Sequence, residues 1–213
     1  MKINVEILQA ALVHDPKLIT SLNEKELVPK MIIRRRMSRA SKIVTYLADQ
    51  CGFKTGAIVY GSAFGELPDS VTILESIKNK EPVSPSAFQN SVYNTAVSYH
   101  SIVQGNTDEI ITLSSGSNTS YTVMQQSALL LMKKNLVFAC CCETMNFNAI
   151  NELNICQNEL EYGLGFLLQR TNKETNISFS PEKQKGVPDS LQFMKSLYDA
   201  LQKVDNPVLE IEL

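Results

Sequence analysis

Apolar residues along the chain follow two rhythms, one of strands and one of helices. Residues 3–13 are rich in β-branched and aliphatic side chains and predict a strand, and the polar stretch between Pro16 and Pro29 predicts a loop. From residue 37 to 50 the positions Ile43, Val44, Leu47 and Ala48 recur at helical spacing, with Gly52 as the stop. Residues 57–60 form a short buried-type strand that runs into Gly61 and Ser62. Val71, Leu74 and Ile77 predict a helix with Asp69 as its N-cap. A further helix starts at Ser84-Pro85 and runs to about residue 104, ending at Gly105-Asn106. EIITL at 109–113 is a compact strand, SSGSN at 114–118 a small polar turn, and Tyr121, Met124, Ala128, Leu131 and Met132 mark the next helix.

The all-apolar run at 136–142 has the pattern of a strand buried on both faces. In the last third, two strands at 162–170 and 176–179 flank the polar turn 172–175, a helix covers about 190–204 and a final strand 208–213. Strands alternating with helices predict an α/β layered fold with a mostly parallel core. Residues 1–213 read as one domain, with the polar stretch 180–188 as the best boundary and a short C-terminal extension from about 181.

Composition changes this picture little. Hydrophobic residues make up 44% of the chain and charged residues 20%, enough for a sizeable core. A formal net charge of -2 gives no electrostatic case for nucleic acid or an anionic membrane. The start of the chain lacks a signal peptide's layout, because Glu6 and Gln9 break its apolar run, and no apolar stretch is long enough to span a bilayer. A cytoplasmic protein without a membrane span is the expectation. Five cysteines, three of them consecutive at Cys140, Cys141 and Cys142, fit neither a disulfide framework nor metal-ligand spacing, so no metal is expected. They fit small apolar side chains in a buried strand.

Few residues offer chemistry. The two histidines, His14 and His100, fall in a predicted strand and a predicted helix. GSAFGEL at 61–67 lacks both the glycine spacing of a dinucleotide site and the lysine of a phosphate loop, so it reads as a tight turn between strand and helix. The basic run Arg34, Arg35, Arg36, Arg39, Lys42 reads as a solvated face or as a surface for an acidic partner. The strand–turn–helix at 110–132 is where α/β enzymes mount a nucleophile, since a helix N-terminus stabilises an anion. Here the turn, SSGSNTS, offers hydroxyls but no cysteine.

RRRMSRASK at 34–42, YGSAFGEL at 60–67, SPSAFQNSVYN at 84–94 and the spacing on to SSGS at 114–117 together resemble the N-terminal half of β-ketoacyl synthases. More closely, they are similar to the short ketoacyl synthase N-terminal family that includes aryl-polyene chain-length factors. The resemblance covers about residues 30–170 and departs at Phe64 and Tyr93, where many relatives carry histidine. It implies a thiolase-like half-fold: a mixed five-stranded sheet covered by helices. Aligned without gaps from Asn94, the nucleophile position falls on Ser117, or on Asn118 with one residue of slippage. Family ketosynthases attack with a thiolate and decarboxylate with two histidines of a C-terminal half, for which these 213 residues are expected to hold no counterpart.

The resemblance therefore implies a non-catalytic partner that needs no cofactor and pairs with an active β-ketoacyl synthase. In the family, the strand before the nucleophile turn pairs across a dimer axis, which points to Glu109, Ile110, Ile111, Thr112 and Leu113 as the interface. Residues reaching the partner's acyl tunnel would be Phe64, Ala87 and Ser91, with Leu67, Val71 and Leu74 behind them. An acyl carrier protein would dock through the complex, for which Arg34, Arg35, Arg36 and Arg39 could serve. Two other readings stay open: a small serine-dependent acyl hydrolase using Ser117 and His100, and a homodimeric scaffold that binds carrier protein.

Overall fold

The computed structural model describes residues 1–146 and 161–213; Cys156 lies outside them. Six strands form one sheet: β1 (Lys2–Asp15), β2 (Ala57–Gly61), β3 (Ile110–Leu113), β4 (Leu136–Thr144), β5 (Glu161–Arg170) and β6 (Val208–Glu212), in the order β3-β2-β4-β5-β1-β6. The expected five strands become six because β6 adds to the outer edge of β1, pairing Lys2 with Glu212 and Glu6 with Val208. The core is also less parallel than expected. Only β3, β2 and β4 run parallel, joined by helical crossovers, whereas β5 is antiparallel to both β4 and β1, and β6 to β1.

Eight helices accompany the sheet among the described residues: α1 (Glu24–Leu27), α2 (Met31–Arg34), α3 (Arg39–Gln50), α4 (Leu67–Asn79), α5 (Pro85–Asn90), α6 (Thr95–Gln104), α7 (Thr119–Leu130) and α8 (Gln192–Leu201). Ser38 caps α3, its Oγ accepting the Ser41 N–H at 3.1 Å, and the helix ends at Cys51 followed by Gly52 at φ +66°. α3 buries Ile43, Val44 and Leu47 against Ile58, Tyr60, Phe138, Cys140 and Cys142 on one face of the sheet. α7 and α8 cover the other face, where Val123, Met124, Met194 and Leu197 meet Val59, Ala139 and Cys141. The consecutive cysteines thus alternate between two cores, as strand geometry requires. Burial pushes all three thiols well above their ordinary range and leaves them inert.

Several local expectations change. The helix expected from residue 84 to 104 breaks into α5 and α6, because Ser91, Val92, Tyr93 and Asn94 turn the chain while buried Asn90 donates from Nδ2 to the Arg36 carbonyl at 3.1 Å. α4 starts at Leu67, so Asp69 lies in its first turn and not at the cap; Pro68 suits that turn because it has no N–H to leave unpaired. A short helix, α1, occupies part of the stretch between Pro16 and Pro29 expected as loop, and α2 follows just beyond it. The strand expected at 176–179 is irregular, because its bonds converge on one residue: the Asn176 and Ile177 N–H groups donate to the Val208 carbonyl at 3.1 and 3.3 Å, Thr175 Oγ1 donates to the same carbonyl at 2.9 Å, and Asn176 Oδ1 accepts the Val208 N–H at 2.7 Å. The stretch from about 181, expected as an extension, supplies α8 to the core and β6 to the sheet.

One ion pair fixes the sheet to α3. Glu161, fully buried at the start of β5, accepts Arg39 Nε at 2.6 Å, Arg39 Nη2 at 2.7 Å and the Ile19 N–H at 2.7 Å. The remaining Arg39 nitrogen, Nη1, reaches Glu24 at 3.3 Å. Removing one partner of such a pair leaves a buried charge unmatched, so Arg39→Ala is expected to cost about 3–5 kcal/mol in urea unfolding. The solvent-exposed Arg35→Ala should stay within about 0.5 kcal/mol of the parent. Equal midpoints for the two variants would contradict the pairing.

Candidate functional site

The strand–turn–helix at the nucleophile position is built as the pattern predicted. β3 ends at Leu113, a single 3-10 turn covers Gly116–Asn118, and α7 begins at Thr119. Thr119 Oγ1 donates to the Gly116 carbonyl at 2.7 Å and accepts the Ser115 N–H at 3.0 Å, closing the turn. α7 then packs at van der Waals contact on β2: a Cβ on Gly61 would come within 2.5 Å of Val123 Cγ2 and 2.7 Å of Thr119 Cγ2. Ser117 and Asn118 are both exposed at the head of this helix.

The structure does not bring His100 to Ser117. His100 stacks on Phe53 with centroids 5.8 Å apart, and Phe53 stacks on Phe138 at 5.0 Å, on the α3 face of the sheet. The helix that follows Ser117 faces the opposite core. The sheet separates the two residues, so they form no hydrolytic dyad. Burial also lowers the His100 pKa to about 4, with the backbone of Lys54 opposing, which leaves a neutral imidazole inside the core. His14 stacks on Tyr162 at 5.0 Å. Among the described residues no group of three or more His, Cys, Asp or Glu side chains is placed to hold a metal ion.

The expected tunnel residues gather on one outer surface. Phe64 projects from the β2–α4 turn and is 38% exposed. α4 carries Leu67, Val71 and Leu74 at helical spacing, and none of its thirteen residues is buried; Leu74 is 64% exposed. Ala87 is buried beneath α5, and Ser91 is half-buried at its end, its Oγ donating to the Phe88 carbonyl at 2.9 Å. Ile77, Phe88, Val92 and Tyr93 extend the apolar surface, with Phe88 at 69% exposure. Sequence reasoning placed none of these four among the tunnel residues. Phe88 was the available signal, because Ala87 and Asn90 claim the inner face of the same short helix, α5.

β3 is an edge strand. It pairs only with β2 among the described strands, and Ile110, Ile111, Thr112 and Leu113 are all half-buried. Glu109 precedes the strand, and its carbonyl accepts the Ile58 N–H at 3.0 Å. The arginines divide. Arg39 turns inward to Glu161, Arg34 Nη1 donates to the Val28 carbonyl at 2.6 Å, and Arg35 and Arg36 remain exposed.

Two buried carboxylates, neither foreseen, stand at the ends of the turn that carries Phe64. Glu143 closes β4 and accepts bonds from Ser62, Ala63, Phe64 and Ser190. Burial raises its pKa, and these four donors oppose the rise. Glu66, at the head of α4, accepts the Ser38 hydroxyl at 2.7 Å. Burial is the main cause that pushes its pKa to about 8, with Asp69 adding to it and Ser38 opposing. A charged residue ending an all-apolar strand was the legible sign for Glu143, since a carboxylate there must find donors.

This mixed sheet covered by helices on both faces, with an exposed edge strand leading to a helix-capped turn, is the thiolase-like ketosynthase fold. The model of the "beta-ketoacyl synthase, N-terminal domain" family matches residues 12–205, and the chain belongs to that family. No curated protein matches the sequence. Among solved structures, a chain of the ketosynthase ApeO in complex with its chain length factor ApeC from Xenorhabdus doucetiae superposes with a TM-score of 0.68 at 21% identity, covering 90% of both chains. The ishigamide ketosynthase/chain length factor superposes with a TM-score of 0.63 at 12% identity, covering 82% of this chain and 64% of the other. A type II PKS acyl-carrier protein in complex with its ketosynthase bound to the hexaketide, AntDE:AntF, gives 0.59 at 11%, covering 86% and 71%. No helix among the described residues is long and apolar enough to cross a membrane.

The raised Glu66 pKa has a signed consequence. The fold favours the neutral acid, so the stabilisation is fully present below about pH 4.5 and is lost as pH rises through about 8. Glu66→Gln keeps an acceptor for Ser38 without the titration. Across that window the parent should lose about 1.4 kcal/mol per pH unit relative to Glu66→Gln in denaturant unfolding. Parallel pH profiles for the two proteins would contradict a neutral buried Glu66.

Proposed function

We propose that the chain is a chain-length-factor subunit: a non-catalytic partner that pairs with an active β-ketoacyl synthase and shapes the tunnel for its growing acyl chain, in polyene, polyketide or fatty-acid-like synthesis. The observation that carries this reading is the surface around α4. A helix that buries none of its own residues, yet repeats Leu67, Val71, Leu74 and Ile77 along its length, has an apolar face made for another molecule. The turn leading into it is bonded to the end of the edge strand, the Ser62 N–H donating to the Leu113 carbonyl at 3.2 Å. An edge strand and an apolar helix face so joined can be covered by one partner, which would also remove the aggregation hazard of the bare edge.

In this reading the partner pairs along Ile110, Ile111, Thr112 and Leu113, Phe64 faces its acyl chain, and Leu67, Val71, Leu74, Ala87 and Ser91 back the wall. Ser117 replaces the attacking thiol. A hydroxyl without a positioned base is a poor nucleophile, and His100 lies across the sheet, so the chain itself forms no acyl ester. Arg35 and Arg36 are the exposed cations left for an acidic carrier protein.

Phe64 supplies the test. A phenyl ring presents a large rigid apolar end to a tunnel, and shrinking it should admit further chain units. The pair reconstituted with its ketosynthase and carrier protein is expected to make longer products with Phe64→Ala at similar turnover, read by mass spectrometry. A destabilised pair making an unchanged product distribution would contradict the reading, as would failure of the parent chain to co-elute with a ketosynthase while forming a homodimer.

A further inference from the structure

We propose that Glu143 is the positioning residue of the Phe64 turn, and that through Ser190 the same carboxylate ties the C-terminal helix α8 to the direction in which Phe64 points. The bearing on product length rests on the reading of Phe64 given above; the coupling itself does not. The geometry is closed on every side. Glu143 Oε1 accepts the Ala63 N–H at 2.7 Å and the Ser190 hydroxyl at 2.6 Å. Oε2 accepts the Ser62 hydroxyl at 2.8 Å and the Phe64 N–H at 3.3 Å. Ser62 Oγ in turn accepts the Gly65 N–H at 2.7 Å, and the Tyr93 hydroxyl donates to the Ala63 carbonyl at 3.1 Å. Gly65 supplies φ +60°, which a side chain would strain, and its Cα faces the Tyr93 ring, 3.1 Å from where a Cβ would stand.

A buried carboxylate is tolerated only while its donors stay in place, so the turn's consecutive N–H groups cannot swing away without stranding Glu143. Three of the four donors belong to the turn. The fourth, Ser190, belongs to the 3-10 turn Asp189–Leu191 that leads directly into α8, whose Met194 and Leu197 are fully buried. α8 is therefore held by packing against α7 within the core, and its leading turn shares one carboxylate with the residue that faces outward. A shift of α8 removes a donor from Glu143 and loosens the turn; an intact Ser190 contact holds it.

The chain contains no tryptophan, so Phe64→Trp places a single fluorescent reporter at the turn. In that background, Ser190→Ala and Glu143→Gln are compared with Ser127→Ala, which removes a buried hydroxyl bond of 2.7 Å within α7 that involves none of the Glu143 donors. Measured on the isolated chain at a temperature where circular dichroism shows every variant folded, Ser190→Ala and Glu143→Gln should lower the anisotropy of the introduced indole and raise its quenching by acrylamide. Ser127→Ala should change neither. An unchanged indole signal in Ser190→Ala, or equal changes in all three variants, would overturn the coupling. If Glu143→Gln fails to fold, Ser190→Ala alone decides. No product is measured, so this result stands or falls separately from the product distribution of Phe64→Ala.

Discussion

β4 is buried on both faces, and that constraint organises the rest of the molecule. Phe138, Cys140 and Cys142 fill one core while Val137, Ala139 and Cys141 fill the other, so helices must cover the sheet on both sides. A strand so enclosed can carry polar groups only at its end, where Glu143 and Thr144 sit. Once buried there, the Glu143 carboxylate must draw hydrogen-bond donors to itself, and those donors define the turn that carries Phe64. Glu161 imposes the same demand at the start of the antiparallel neighbour β5, and is met by Arg39 and the Ile19 N–H. The turn and the α3 terminus are thus fixed by the cost of burying two carboxylates, with apolar packing behind them.

The outer surface is arranged in the opposite way. α3, α7 and α8 each bury a stripe, whereas α4 buries nothing and α5 only Ala87 and Asn90. The free edge of β3 lies at the same side of the sheet as the turn that starts α4. A monomer gains nothing from an apolar helix face in water, nor from an unpaired strand edge, and both are relieved by one partner. The resemblance to chains from ketosynthase complexes is one of fold.

Much of this was legible in the residues, and the misses have physical causes. β2, β4, β5 and α3 followed from apolar periodicity, because their partners are apolar and roughly isotropic. The strand expected at 176–179 failed because backbone and side-chain bonds from Thr175, Asn176 and Ile177 all converge on Val208, which leaves the apolar pattern of a strand without a regular ladder. The single helix expected from 84 to 104 failed because Asn90 is pulled to the Arg36 carbonyl, a contact between residues far apart in sequence. Arg39 counted as a surface cation until its partner Glu161, 122 positions away, was placed beside it. The turn carrying Phe64 was visible as GSAFGEL, but the carboxylates that hold it were not, since only the fold brings Glu143 to residues 62–64 and to Ser190.

The central claim is that the edge of β3 is where a ketosynthase joins. Hydrogen–deuterium exchange on the amides of Ile110, Ile111, Thr112 and Leu113, with and without the partner synthase, tests it most directly. The account predicts that amides turned away from β2 exchange freely in the isolated chain and become protected in the complex, as a continuous ladder would require. A complex that forms while those amides keep their free exchange would contradict it.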